Sequence, residues 1–419
     1  MTARSATAAD ADLGFTARGQ STNWSGWINV VVAAVVMLAT LPGRTQGLGL
    51  ITEPMLRDLH LDRVAYANIN LWATLLGAAI CLPVGRVFDR VGLRITTAIL
   101  TIVLSVVVWS MSQVAGGVLV LFLLVLATRA VGQSALSVAS ITAVGKSFDK
   151  RVGVAMGIYS FLLSVFFALA FVAVGSSVRI NGWRAAWAQV AAGLIVAAGV
   201  ALLLRERPAA AIATAGDELP GGDGLTLAEA VRTPAFWVFG GATALFGLVS
   251  SGLGLFNEAV LAERGFNQET YVQFLAGTSI VALLGQLACG WLTLRWSMQR
   301  LLALAMFLYA VAIGALPLLT TMSQLWFFAV LIGLAGGMIT VIFFAVWRRA
   351  FGPAHLGRIQ GAAQMLTVLA SAVGPLIFAK AQAITGSYFP ALWILAPCVF
   401  VIAVGSLWVR LPRAEAASS

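Results

Sequence analysis

Apolar stretches of about 20 residues recur along the whole chain, separated by short polar and cationic breaks. Each is long enough to cross a hydrocarbon core of about 30 Å as a helix. Twelve are counted, at about 27–53, 64–84, 95–115, 117–144, 153–177, 185–204, 235–258, 271–293, 301–319, 325–347, 359–382 and 390–409. Their periodicity is helical and lacks the alternating ten-residue rhythm of an outer-membrane barrel. The pattern predicts an all-α polytopic membrane protein with twelve transmembrane helices.

Composition agrees: 60% of residues are hydrophobic and 10% charged, against about 25% charged in soluble domains. A net charge of +10 raises nucleic acid as a partner, but its placement speaks for topology and no nucleic acid is expected. With the N-terminus in the cytosol, eighteen Lys and Arg fall on that side and five (Arg57, Arg63, Arg179, Arg184 and Arg264) on the other. This positive-inside bias puts both termini in the cytosol of an inner-membrane protein. Residues 1–23 lack the continuous apolar core of a cleavable signal. Cys81, Cys289 and Cys398 lie inside spans, with no disulfide framework or metal-ligand spacing, and His60 and His355 are far apart. No cofactor or metal is expected, and no nucleophile–base set points to an enzyme.

The apolar pattern breaks at residues 205–226, which hold charges, Pro208, Pro220 and a Gly-Gly-Asp-Gly run. The expected organisation is an N-terminal tail (1–26), a six-helix bundle (27–204), a cytoplasmic linker (205–234), a second six-helix bundle (235–409) and a C-terminal tail (410–419). Thr226-Leu-Ala-Glu229 has capping-box spacing. Thr233-Pro234 suits a helix start with proline at its first position. The halves are related at an offset of 205 residues: Gly47-Leu-Gly-Leu50 matches Gly252-Leu-Gly-Leu255, Glu53 matches Glu258, and Tyr66 matches Tyr271. Two pseudo-symmetric bundles follow, with a substrate site between them near the midplane and access by rocking.

The sharpest local motif is Gly85-Arg-Val-Phe-Asp89-Arg90-Val-Gly92-Leu-Arg94, with a worn copy at 290–299 where Leu294, Ser297 and Gln299 replace the acid, a glycine and the base. It resembles the signature loop between spans 2 and 3 of the major facilitator superfamily. The resemblance extends over nearly the whole chain and implies a monomeric secondary transporter in the bilayer, acting on a small molecule. It also implies a conformational latch at Gly85, Asp89, Arg90, Gly92 and Arg94, made lopsided by the worn copy. A simple cationic insertion anchor would account for the arginines but not for Asp89 or the glycine spacing.

Two arginines fall inside spans. Arg129 lies about 17 Å along span 4, and Arg44 follows Pro42-Gly43, a pair that can open span 1. Neither has an acidic partner at comparable depth, and an arginine at the centre of a membrane helix costs about 2.5–3.5 kcal/mol. Use in a polar cavity is the expected role; tying down backbone carbonyls of a broken neighbouring helix is the alternative for Arg129. Gln133 shares a face with Arg129, and Asn68 with Trp72, at i,i+4 spacing. Asn68 and Trp72 would line the cavity, or else serve as an interhelical bond and an interfacial ring. Two buried cations point to an anionic substrate, since a guanidinium holds a carboxylate bidentately. Glu53 and Glu258, at matching outer span ends, are candidates for proton coupling, or are interfacial carboxylates with Glu53 paired to Arg57. Gly153-x-x-x-Gly157 and Gly333 to Gly337 are expected to serve close helix packing.

Asn181-Gly-Trp-Arg-Ala-Ala-Trp187 and Leu227-Ala-Glu-Ala-Val-Arg-Thr-Pro-Ala-Phe-Trp237 resemble segments of monocarboxylate-type porters and oxalate–formate exchangers. That branch implies a small organic anion moved by symport with protons or by exchange. The branch often carries an arginine in span 8, and 271–293 holds no charge here. The binding role then falls to Arg44 and Arg129 in the first half. Efflux of amphipathic compounds and ligand sensing by a transporter-like protein are the alternatives.

Overall fold

The computed structural model describes residues 24–145, 147, 152–205, 225–352 and 356–412, with side chains outside 24–25, 80–90, 152–154, 348 and 356–358. Every predicted apolar segment coincides with helix. Predicted span 1 is broken: α1 (Trp24–Leu38) and α2 (Thr45–Asp58) flank a 3-10 turn at Leu41–Gly43, opened where Pro42 lacks an N–H. Next come α3 (Arg63–Val91) and α4 (Leu93–Ser112). Span 4 is α5 (Val118–Ala127), a π-helical segment Thr128–Leu136, and α6 (Ser137–Gly145). The long helix α7 (Val152–Ala201) holds predicted spans 5 and 6 on either side of Gly182, whose φ of 81° only glycine adopts without strain.

The second half begins with α8 (Leu227–Val231), started by a complete capping box between Thr226 and Glu229. Then follow α9 (Pro234–Ala262), α10 (Gln268–Leu292), α11 (Met298–Ala315), α12 (Met322–Phe351), α13 (Leu356–Thr385) and α14 (Phe389–Trp408). Thr233 caps α9 by accepting from Phe236 N, with Pro234 at the first helical position. Among the described residues, nine helical stretches meet the length and apolarity needed to cross a membrane, and one of them carries both spans of α7.

The bundles pack in matching ways. In the first, α7 lies against both α1 and α4, and α3 against span 4; in the second, α9 meets α13, α10 meets α12, and α11 meets α14. Lipid tails are as apolar as leucine, so close backbone approach rather than hydrophobic burial drives such contacts. A Cβ at Gly337 would lie 2.1 Å from Ala282 O, so glycine alone permits the α10–α12 approach. Gly157, expected to play the same part, faces open space: a Cβ there meets nothing within 4 Å. Gly153 lies outside the described side chains.

The halves meet through α2 on α9, α7 on α10 and α3 on α13. A Cβ at Gly49 would fall 2.1 Å from Gly254 O, and these residues are one 205-residue offset apart. Repeat-related positions that touch each other must lie at the axis relating the halves. Nearby, towards the face remote from both termini, Arg179 on α7 pairs with Glu269 on α10, and Gly175 lies against Val272. The bundle is therefore closed between halves on this distal face.

Candidate functional site

A cavity of about 420 Å³ lies between the halves. Its walls come from α1, the 3-10 turn, α2 and α7 on one side, and from α9, α10 and α12 on the other. Phe167, Phe171, Phe246 and Phe274 supply much of the surface, and Arg44 is the one charged side chain among the described lining residues.

Arg44 is placed by the break in span 1. Its extended backbone (φ −88°, ψ 149°) begins α2 and brings the side chain back over the turn. Nε donates to Thr40 Oγ1 at 2.7 Å, Nη2 reaches Ser137 Oγ at 3.4 Å and Met37 Sδ, and the guanidinium sits 5.3 Å from the Phe167 ring centroid. Among the described residues no carboxylate pairs with it. The partners are weak or neutral, so the charge is held in place without being neutralised.

Arg129 is placed differently. It is 2% exposed and does not line the cavity. Nη1 donates to Gly43 O at 3.1 Å, Thr45 Oγ1 at 3.0 Å and Gln133 Oε1 at 2.7 Å, while Nη2 donates to Asn70 Oδ1 at 2.9 Å. A Cβ at Gly43 would lie 2.3 Å from Thr128 O and 2.7 Å from Gln133 N, so the broken span 1 packs directly on the π-helical turn of span 4. Two of these four contacts, to Gly43 O and Thr45 Oγ1, brace the break from which Arg44 projects, while those to Gln133 and Asn70 hold the guanidinium in place. Gln133 belongs to this brace and lies away from the cavity lining.

Asn68 and Trp72 also lie outside that lining, to which the described residues of α3 contribute none. Asn68 Nδ2 donates to Val64 O of its own helix at 3.1 Å, and Trp72 is 55% exposed. Two residues along a helix is about 200° of rotation, which brings Asn70, not Asn68, to Arg129. Sequence reasoning missed Asn70, although an amide in an apolar span was the available signal. It also passed over Gln46, Asn257 and Gln286, all of which line the cavity.

Glu53 is 3% exposed and takes both of its bonds from Arg63, at 3.2 and 2.7 Å, instead of pairing with Arg57. The chain reverses after α2 and returns Arg63 alongside. Glu258 Oε2 is buried with no hydrogen-bond partner, and Glu53, Arg57 and Tyr271 lie within electrostatic range of Glu258. The two repeat-related carboxylates therefore lie within electrostatic range of each other on the distal side.

For the loop motif, the backbone at Gly85, Asp89 and Arg90 is the last turns of α3, and their side chains lie outside the described residues. Gly92 (φ 91°, ψ 148°) turns the chain into α4, and Arg94 is exposed. At the worn copy Ser297 has φ −70° and caps α11 by accepting from Arg300 N, so the second turn has no need of glycine.

The family model described as Major Facilitator Superfamily matches residues 32–375. No curated protein matches the chain. Among solved structures, the nucleoside transporter NupG superposes with a TM-score of 0.73 at 14% identity, covering 91% of this chain and 98% of its own. A bacterial homologue of the human lysosomal transporter Spinster, in an inward-facing, unoccupied conformation, gives 0.68 at 16% identity, covering 93% and 96%. At these identities the likeness is one of fold. The matched family model spans most of the sequence, and the chain belongs to the major facilitator superfamily.

Proposed function

We propose that this member of the major facilitator superfamily is a secondary carrier for a small organic anion, such as a monocarboxylate, working by alternating access. One observation carries the reading: Arg44, in a cavity shared by both halves, is the single charged lining residue and has no acidic partner among the described residues. An arginine held by hydroxyls, a thioether and a ring keeps donors for a carboxylate, which two parallel N–H bonds would orient. The phenylalanines suit an apolar body behind that group. Arg129 and Gln133 act as positioning residues, fixing the break that aims Arg44.

Glu258, with Glu53, Arg57 and Tyr271 facing it, is the coupling candidate. A carboxylate near the closing interface can gain or lose a proton as the halves part. The placement of cationic residues supports cytosolic termini in the cell membrane. Asp89, Arg90 and Arg94 remain the proposed latch on the terminal face.

The test is thermal unfolding of purified protein against a panel of carboxylates and their neutral amides, since a ligand that binds the folded state raises its stability. Carboxylates should stabilise the wild type and leave Arg44→Gln unaffected. Stabilisation by neutral or cationic compounds alone would overturn the reading.

A further inference from the structure

Polar groups around the cavity fall into two sets. The hydroxyls are satisfied nearby: Ser164 donates to Ser160 O at 3.2 Å, Ser279 donates to Leu275 O at 2.9 Å, Thr278 donates to Phe274 O, and Ser250 shares a bond of 2.9 Å with Tyr309. The carboxamides are not. Gln46, Asn257 and Gln286 make no side-chain hydrogen bond among the described residues, and Asn257, only 6% exposed, has a buried Oδ1 without a partner.

These amides come from three helices and both halves. A Cβ at Gly254 would sit 3.5 Å from Gln46 Cγ, so α2 presents Gln46 directly to α9. Asn257 lies three residues beyond Gly254 on the same helical face. Thr278, Ala282 and Gln286 form one stripe of α10 along the cavity. An apolar ligand that displaces water from such amides loses the bonds that the water made. A ligand with its own donors and acceptors replaces them.

We propose that Gln46, Asn257 and Gln286 form a second recognition element, which reads a hydroxyl, oxo or amide group on the body of the anion held at Arg44. This rests on the anion reading above and narrows it: the substrate is a hydrogen-bonding carboxylate, not a plain alkanoate. A carboxamide both donates and accepts, so hydroxyl and oxo groups are both served. Because the amides are divided between halves, the ligand that satisfies them binds one arrangement of the halves better than another. Differential affinity of that kind is what allows a ligand to shift a conformational equilibrium.

Matched probes test the element in thermal unfolding of the full chain: mandelate and phenylacetate, and the neutral pair mandelamide and phenylacetamide. Mandelate should half-saturate at about tenfold lower concentration than phenylacetate, the effect of one well-made hydrogen bond. Asn257→Leu and Gln286→Leu, each first shown to be folded and monodisperse, should bring that ratio to about one. Neither should weaken phenylacetate by more than about threefold. Gln46→Leu takes the place of either variant that fails to fold. If the amides bind as well as the acids and Arg44→Gln changes nothing, the anion reading fails. A hydroxyl preference within the amide pair that the leucine variants remove would still support the subsite. Equal responses to hydroxylated and plain probes in both series, or a preference that survives the leucine variants, would overturn it.

Discussion

Arg129→Met separates a brace from a binding residue. The substitution keeps a long apolar stem but removes the donors to Gly43 O, Thr45 Oγ1, Gln133 Oε1 and Asn70 Oδ1. Thr45 and Gln133 are half-buried and can turn to other partners. Gly43 and Asn70 are buried, and a buried acceptor left unpaired costs about 1–3 kcal/mol. Part of this is offset, because the variant no longer buries a cation. The net loss should be about 2–4 kcal/mol. For an unfolding unit of 150–250 residues, such as one bundle, the midpoint should fall by about 4–16 °C. The assay is thermal unfolding in detergent, paired with ligand titration well below the transition. Ligand binding should weaken only together with the fall in midpoint, through the loosened Arg44, because the Arg129 guanidinium does not itself line the cavity. A midpoint within about 2 °C of wild type, together with lost binding, would refute the brace and make Arg129 a binding residue.

Three further outcomes follow from the geometry. Gly157→Ala should be neutral or stabilising by up to about 1 kcal/mol, since alanine favours helix and its Cβ meets nothing, whereas Gly337→Ala should destabilise by displacing α10; unfolding midpoints compare them, and equal losses would contradict the packing account. The ion pair between Arg179 and Glu269 is 45% and 51% exposed, so breaking it with Glu269→Gln should cost at most about 1 kcal/mol. Its effect should appear as easier labelling of a cysteine placed in the cavity from the distal side, and unchanged labelling would show that the pair does not hold that face shut. Glu258→Gln should abolish acceleration of uptake by an imposed proton gradient while counterflow persists, and retained acceleration would exclude Glu258 from coupling.

The twelve apolar segments were legible because a bilayer forces each span to satisfy its backbone internally, which leaves long uninterrupted apolar runs. The opening of span 1 was legible too, since Pro42-Gly43 marks it locally. The role of Arg129 was not: its acceptors lie 59 and 86 positions away on other helices, and sequence spacing fixes only neighbours on one helix. Its bond to the Gly43 carbonyl matches the alternative reading, a tie to the backbone of a broken neighbouring helix. The π-helical turn had no local signature in the sequence, although Gly43 of another span packs directly on it. Helical periodicity puts Asn68 and Trp72 on one face of span 2 but gives no means of telling which face meets the cavity. Gly157 and Gly337 look alike in sequence, and only the neighbouring helix distinguishes them. The 205-residue repeat aligns Gly49 with Gly254 and Glu53 with Glu258, but it gives no sign that the aligned glycines touch across the axis, which depends on how the halves pack.

The central claim is that Arg44 anchors an organic anion in a carrier that exposes one cavity alternately to each side. Counterflow in proteoliposomes tests it most directly, with labelled mandelate outside and unlabelled mandelate trapped within. The account predicts transient, saturable accumulation by the wild type, none of it with neutral mandelamide as the label, and loss of flux in Arg44→Gln protein that remains folded. Accumulation of mandelamide in place of mandelate, or mandelate flux undiminished in Arg44→Gln, would contradict it.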